Sequence, residues 1–350
     1  MADALESSAP LPIAGEMARL TLLLCCLAAL LLPAAAQAHT LADWNLGEQH
    51  AAARAGLLPA LADGRLHGER PLTGAQLAGA LRAYAGRTGA APVGAPASAT
   101  VSLTAFDARL VAQLGLSDLA AHVRAVAAAS GLRPGPTFGT EVVARFLGLR
   151  EDHPAADDAL ELYPWDAITR AEAAHSFAVM LGFSDWETDS ARAELGAFAL
   201  PHYGAAARRA LSLAISKVGM PYVWGGETDD ASSLYGYQAH GGYDCSGFVW
   251  RVFKLSGNPA GRAIGGRTAA QMAGEIPRSQ RIRLADVRPG DLLFFGSAGF
   301  HSRATEANVT HVGIALSPHW MIHSSDQGVY ISSLDDPWRR AEFAWARRVL

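Results

Sequence analysis

Asp244-Cys245-Ser246-Gly247 runs directly into Phe248-Val249-Trp250-Arg251-Val252-Phe253-Lys254-Leu255, and the fold turns on how that junction is read. The dense apolar run reads as a helix that stops at Gly257-Asn258-Pro259. Cys245 then stands at the helix head, where unsatisfied N–H groups and the positive end of the helix dipole favour a thiolate, the form of cysteine that attacks carbonyls. The same N–H groups are placed to help hold the oxyanion that such an attack creates.

Downstream of this helix, residues 291–296, 311–316, 320–325 and 329–334 are short β-rich runs separated by turn residues. They predict an antiparallel meander. A hairpin centred near Ser317 sets His311 and His323 directly opposite each other on adjacent strands. A helix-borne thiol, a strand-borne imidazole and a second polar group behind it form a coherent set: Cys245 attacks, His311 takes and returns the proton, and His323 fixes the ring of His311. Against this stand the ordinary fates of such residues, an inert buried cysteine and two structural histidines. Zinc on Cys245, His311 and His323 is the other chemistry to weigh, but the spacing offers no short ligand pair, and neither a metal nor an organic cofactor is expected.

The first 38 residues read as a signal peptide. Arg19 precedes an apolar run from Leu20 to Leu32, and Ala36-Gln37-Ala38 carries small residues where a signal peptidase reads, so cleavage is expected before His39. Met17 competes with Met1 as the start, because Asp3, Glu6 and Glu16 lie where positive charge is preferred. A membrane anchor is the alternative, although the run is short for a span of about 20 residues. Cleavage would remove Cys25 and Cys26 and leave Cys245 alone, without an internal disulfide partner. The 350 residues suffice for more than one domain. A net charge of −4 with a pI near 6.3 and no basic run gives no footprint for nucleic acid.

Before the thiol-bearing region the pattern is helical. Residues 39–86 suggest two helices, the second opened by Thr73 with Gln76 three residues on, a capping box. Residues 87–103, rich in Gly, Ala, Pro and Ser at their start, read as a linker. Residues 104–200 end in a similar way, with Thr169 and Glu172 before an apolar run, so the two stretches suggest a repeat. A further helix from about Ala205 opens the last domain, residues 203–350.

That last domain strongly resembles the NlpC/P60 family of cysteine peptidases. The resemblance is carried by Gly219-Met220-Pro221-Tyr222-Val223-Trp224-Gly225-Gly226, Asp244-Cys245-Ser246-Gly247-Phe248-Val249, Arg267-Thr268-Ala269-Ala270-Gln271, Arg288-Pro289-Gly290-Asp291-Leu292-Leu293-Phe294-Phe295 and Thr310-His311-Val312-Gly313-Ile314-Ala315-Leu316, in family order. It implies an α+β papain-like fold, helices packed on an antiparallel sheet, and a Cys245-His311-His323 triad. It further implies an oxyanion-directed hydroxyl on Tyr222 and a substrate cleft flanked by Asp244 and Ser246, Asp244 being equally suited to cap the helix. Arg267 is expected either to grip a substrate carboxylate or to lie on the surface. The implied substrate is the peptide stem of peptidoglycan, cut between γ-D-glutamate and the following diamino acid by a secreted, wall-associated enzyme. An inactive wall-binding protein and an amidase or acyltransferase on the same scaffold are the rival readings. Residues 227–242 and 297–308 look longer than in compact relatives and should lie beside the cleft.

Ile168-Thr169-Arg170-Ala171-Glu172 resembles the signature of S-layer homology repeats. That likeness implies wall-polysaccharide binding through Thr169, Arg170 and Glu172, with an ordinary capped helix as the alternative. The earlier copy, Leu72-Thr73-Gly74-Ala75-Gln76, lacks the arginine and the acid, and the second copy is stretched by an insertion around residues 150–160.

Overall fold

The computed structural model describes residues 40–233 and 237–350; the expected signal peptide, with Cys25 and Cys26, lies outside them. Seven helices come first: α1 (Leu46–Arg54), α2 (Gly74–Thr88), α3 (Leu103–Gln113), α4 (Ser117–Ala129), α5 (Phe138–Phe146), α6 (Arg170–Leu181) and α7 (Asp185–Gly196). Thr73 and Gln76 form the complete reciprocal cap of α2. At α6 only half of that device exists: Thr169 Oγ1 accepts from the Glu172 amide, while the Glu172 carboxylate turns to Arg150.

The two stretches read as separate repeats are stitched together. Leu72 donates its amide to Ile168 O, Ile168 to Val101 O, and Val101 to Leu72 O, so both copies and the end of the linker meet in one knot. Within the linker, Gln113 exchanges side-chain hydrogen bonds with Val93 N and Ala91 O.

The remaining helices are α8 (Ala205–Ile215), α9 (Cys245–Val249), α10 (Ala269–Gly274) and α11 (Pro337–Glu342). α9 continues as one π-helical turn over Trp250–Lys254 before Gly257 takes φ 72° and ends it. Strands β1 (Glu227–Thr228) and β2 (Gly242–Tyr243) form a small ribbon. Strands β3 (Leu292–Phe295), β4 (His311–Ala315), β5 (Trp320–Ser325), β6 (Gly328–Ser333) and β7 (Phe343–Arg347) form an antiparallel sheet in the order β6-β5-β4-β3-β7. This is the α+β arrangement expected, with helices on an antiparallel meander.

The sheet's residues alternate in function as their side chains alternate in direction. Leu292, Phe294, Val312, Ile314 and Ile322 face the large core shared with Phe248, Val252 and the N-terminal helices. Leu293, Phe295, Ala315, Met321 and Ala346 face a second, smaller core. Residues 39–350 make one compact unit, and α5 packs directly on β6.

Register corrects one expectation. Ile314 pairs with Ile322 and Ala315 with Met321, which centres the β4–β5 hairpin on Pro318 and sets His323 opposite Gly313 rather than His311. The histidines are therefore diagonal neighbours on one sheet face, within reach of each other all the same. A Cβ on Gly313 would come within 3.3 Å of the His323 Cβ, which explains the glycine.

Candidate active site

The site is built where the sheet stops pairing. β3 and β4 remain paired to the end of the strand, Phe295 against His311, whereas the β4–β5 register is recorded only at Ile314↔Ile322 and Ala315↔Met321. The head of α9 occupies the opening this leaves. Ser324 Oγ donates to Tyr243 O at 2.6 Å, two residues before the thiol, and the Cys245 sulfur receives the amides of Val312 and Ser246. Close packing of α9 on the 219–226 loop demands glycine: a Cβ on Gly247 would lie 1.9 Å from Gly226 O.

Cys245 is 9 % exposed and lines a cleft of about 690 Å³ together with Tyr222, Trp224, Asp244, Ser246, Arg267, Glu306, Val309 and Thr310. Thr310 precedes His311, and the Val312 amide that meets the sulfur follows it. Ser233 and Tyr237, from the first of the two long loops, and Glu306, from the second, line the same cleft.

Behind the cleft runs a polar chain. His311 Nε2 lies 2.9 Å from His323 Nδ1, and His323 Nε2 lies 2.7 Å from Ser332 Oγ. One proton assignment satisfies both bonds and leaves His311 Nδ1 with a free lone pair: His311 Nε2–H donates to His323 Nδ1, and His323 Nε2–H donates to Ser332. Burial, with Arg339 nearby, lowers His311 to about 3. Burial, His311 and Arg339 hold His323 well below the usual imidazole range. Ser332 was not foreseen, and its only sequence signal is an alternation on β6 that places it on the face of Tyr330.

The thiol departs from the expectation of an activated thiolate. Burial pushes Cys245 up to about 12 and Asp244 adds to the push, while the Val312 and Ser246 amides and the Arg267 guanidinium pull down without matching it. Desolvation outweighs the helix head. These shifts favour a neutral thiol and a neutral imidazole at rest.

Arg267 is neither a surface residue nor a free clamp. Its Nε donates to Glu227 at 3.0 Å, Nη1 to Asp244 and Ser246 at 3.0 and 2.9 Å, and Nη2 to Asp244 and Gly225 O at 2.9 Å each. All five guanidinium hydrogens have partners, so none is left for a substrate carboxylate. Asp244 serves as the helix cap, accepting from the Gly247 amide and from Ser246 Oγ. Glu227, almost wholly buried, was missed because nothing in the sequence pairs it with an arginine 40 residues away. Burial, together with the nearby Cys245 and Asp244, raises Tyr222 above the usual phenol range, so its hydroxyl stays a proton donor.

The residues expected to meet wall polysaccharide do not face solvent. Thr169, Arg170 and Glu172 are all buried. Arg170 donates to Leu66 O and Pro59 O, and Glu172 pairs with Arg150 at 2.9 Å. The signature marks a knot in the core.

Two groups bear on metal binding. His311 and His323 bond to each other, so their lone pairs do not converge with Cys245 on one point. Among the described residues, Glu48, Glu151 and His175 bring possible ligand atoms within 4.8 Å of one another. Burial lowers His175, but hydrogen bonds to Glu151 and Glu48 outweigh it and raise the imidazole to about 9; the imidazolium itself is the cation between the carboxylates. No helix among the described residues is long and apolar enough to cross a membrane.

The chain is 35 % identical over 136 residues to "Probable endopeptidase YafL" of Escherichia coli (strain K12), covering 38 % of this chain and 46 % of that protein. It is 34 % identical over 116 residues to "Probable endopeptidase Rv2190c" of Mycobacterium tuberculosis, covering 33 % and 23 %. It is 31 % identical over 121 residues to "Gamma-D-glutamyl-L-lysine dipeptidyl-peptidase" of Bacillus subtilis (strain 168), covering 33 % and 31 %. The match thus spans from about a quarter to just under half of each of these relatives. The model of the NlpC/P60 family matches residues 219–348, and the C-terminal part of this chain is an NlpC/P60 family domain.

Proposed function

We propose that the protein is a secreted, wall-associated cysteine endopeptidase that hydrolyses peptidoglycan stem peptides, at the bond between γ-D-glutamate and the following diamino acid. The observation that carries the reading is the seat of Cys245: the one cysteine among the described residues, at a helix head, lining a cleft, its sulfur met by the amide of Val312 next to His311. Export rests on the sequence before His39, and the bond on the name of the Bacillus relative.

Because both partners are neutral at rest, His311 acts as a general base rather than as half of an ion pair. Its Nδ1 lone pair takes the thiol proton as sulfur attacks the carbonyl carbon. The His311 Nε2–H bond to His323 holds the ring in the tautomer that leaves the Nδ1 lone pair available. The protonated Tyr222 hydroxyl and the amides at the helix head face the developing oxyanion. The tetrahedral adduct collapses, the C–N bond breaks, and the leaving amine takes the proton from His311. Water, deprotonated by the same nitrogen, then cleaves the thioester and restores the thiol.

Mass spectrometry of muropeptides digested by the chain from His39 onward tests bond, stem type and activity together. New stem fragments ending in γ-D-glutamate are expected from the wild type and none from Cys245→Ala. Undiminished turnover by the alanine variant would remove the nucleophile and the proposal with it.

A further inference from the structure

The N-terminal helices contribute no side chain to the wall of the cleft, yet they hold the loop that does. Two carboxylates from residues 150–160, the insertion that interrupts the repeat pattern, accept backbone N–H groups two residues apart. Asp152 Oδ2 takes the Tyr222 amide at 2.5 Å, and Asp158 Oδ2 takes the Trp224 amide at 2.6 Å. Tyr222 and Trp224, with Gly225, are the cleft residues of that loop. Neighbouring bonds brace the same junction: Arg145 donates to Gly219 O at 3.1 Å and to Gln327 O at 2.7 Å, and the Asp152 amide donates to Asp326 O at 2.9 Å.

These carboxylates are poorly placed for the stability of their own region. Asp152 is half-buried beside Glu161 and Glu172, and desolvation together with Glu161 drives its carboxyl well above the usual range, with the Tyr222 amide and Arg145 opposing. Packed groups that work against local stability mark a positioning task. Within its own domain the loop is held through other groups, Val223 N to Tyr243 O at 3.4 Å, Tyr243 N to Pro221 O at 3.1 Å and Gly226 N to Val223 O at 2.9 Å, and the Tyr222 and Trp224 amides go to the two aspartates.

We infer that Asp152 and Asp158 are positioning residues by which the N-terminal region sets the placement of Tyr222 and Trp224, so that the helical region is a working part of the active site. Asp152 acts through the residue whose hydroxyl faces the oxyanion and governs turnover. Asp158 acts through an indole that is 69 % exposed in the cleft wall and governs substrate hold. The kinetic part of this inference rests on the peptidase reading above.

The experiment uses the full mature chain with Asp152→Ala, Asp158→Ala and the two Asn variants, whose amide oxygens still accept the same N–H. Asp152→Ala should lower kcat about 10–100-fold with KM nearly unchanged, and Asp158→Ala should raise KM severalfold with kcat nearly unchanged. Asn should restore most of each loss. Hydrogen–deuterium exchange of the 219–226 segment should quicken in the alanine variants and return in the Asn variants, a readout that needs no substrate. If the wild type cleaves no wall peptide, the peptidase reading fails and exchange alone decides the positioning. Unchanged exchange over 219–226 in both alanine variants overturns the inference. So does a loss of kcat and KM together that follows the melting temperature and is not rescued by Asn.

Discussion

Two clusters of titratable groups are buried among the described residues, and they differ in the opposite charge that burial meets: in the helical region Asp152 and Glu161 still rise, but Arg150 and His175 keep their charge beside carboxylates. At and behind the cleft, Cys245 rises to about 12 and His311 falls to about 3, because burial is met by little opposite charge. In the helical region, Arg150 sits between Asp107 and Glu172, and His175 is held near 9 between Glu48 and Glu151. Burial alone makes groups neutral; burial beside a counter-charge keeps them ionised. The first arrangement suits a proton transfer that begins on substrate binding, and the second suits a scaffold.

The sharpest way to break the comparison is at the polar chain behind His311. His323→Ala removes the acceptor that fixes the His311 tautomer and should cost about 10³-fold in kcat, while Ser332→Ala, one bond further back, should cost about tenfold. Steady-state cleavage of a stem peptide measures both, and equal effects would show that the chain does not act in sequence. Arg267 tests the opposite regime inside the cleft. Arg267→Ala strands Glu227, which is 1 % exposed, without its cation, and should destabilise the fold by about 3 kcal/mol in urea unfolding. A neutral result would mean that the Arg267–Glu227 pair does not hold this wall of the cleft.

Neutrality of the thiol has its own signature. With Cys245 near 12, alkylation by iodoacetamide should quicken about tenfold per pH unit from pH 7 to 10, in step with the thiolate fraction. A plateau beginning below pH 7 would instead reveal a thiolate–imidazolium pair, and the contrast between the two clusters would collapse.

How much of this was legible in the sequence follows the range of the interactions involved. The Asp244-Cys245-Ser246-Gly247 junction, the four strand runs and the His311–His323 pairing rest on local pattern and motif, and the structure places each close to where the residues suggested. The hairpin centre was misjudged by one residue because Ser317, Pro318 and His319 are all plausible at a turn, and pattern alone does not fix the register. The Arg267–Glu227 pair, the Asp152–Tyr222 bond and the knot of residues 72, 101 and 168 join segments about 30 to 100 residues apart, which no periodicity encodes. Thr169-Arg170-Glu172 shows the same limit in reverse. A local signature was read as surface chemistry, while the surrounding helices bury it.

The helical region offers the smallest and most discriminating test. His175 ties α6 to Glu48 of α1 and to Glu151, with Nδ1 3.1 Å and 3.2 Å from the two carboxylates and Nε2 3.1 Å from Gly148 O. Its pKa is raised on folding, from 6.5 to about 9, so the folded state holds the proton more tightly than the unfolded chain. The resulting stability is complete below about pH 6.5 and disappears as pH climbs through 9. Its size should be on the order of 2 kcal/mol, less than the full shift implies because Glu151 is more than half exposed and screened by water. Urea unfolding between pH 6 and 10 should therefore show a decline that His175→Gln flattens. A decline that survives the substitution would mean that the imidazolium is not what joins these elements, and that the helical cluster, like the cleft, is neutral at its centre.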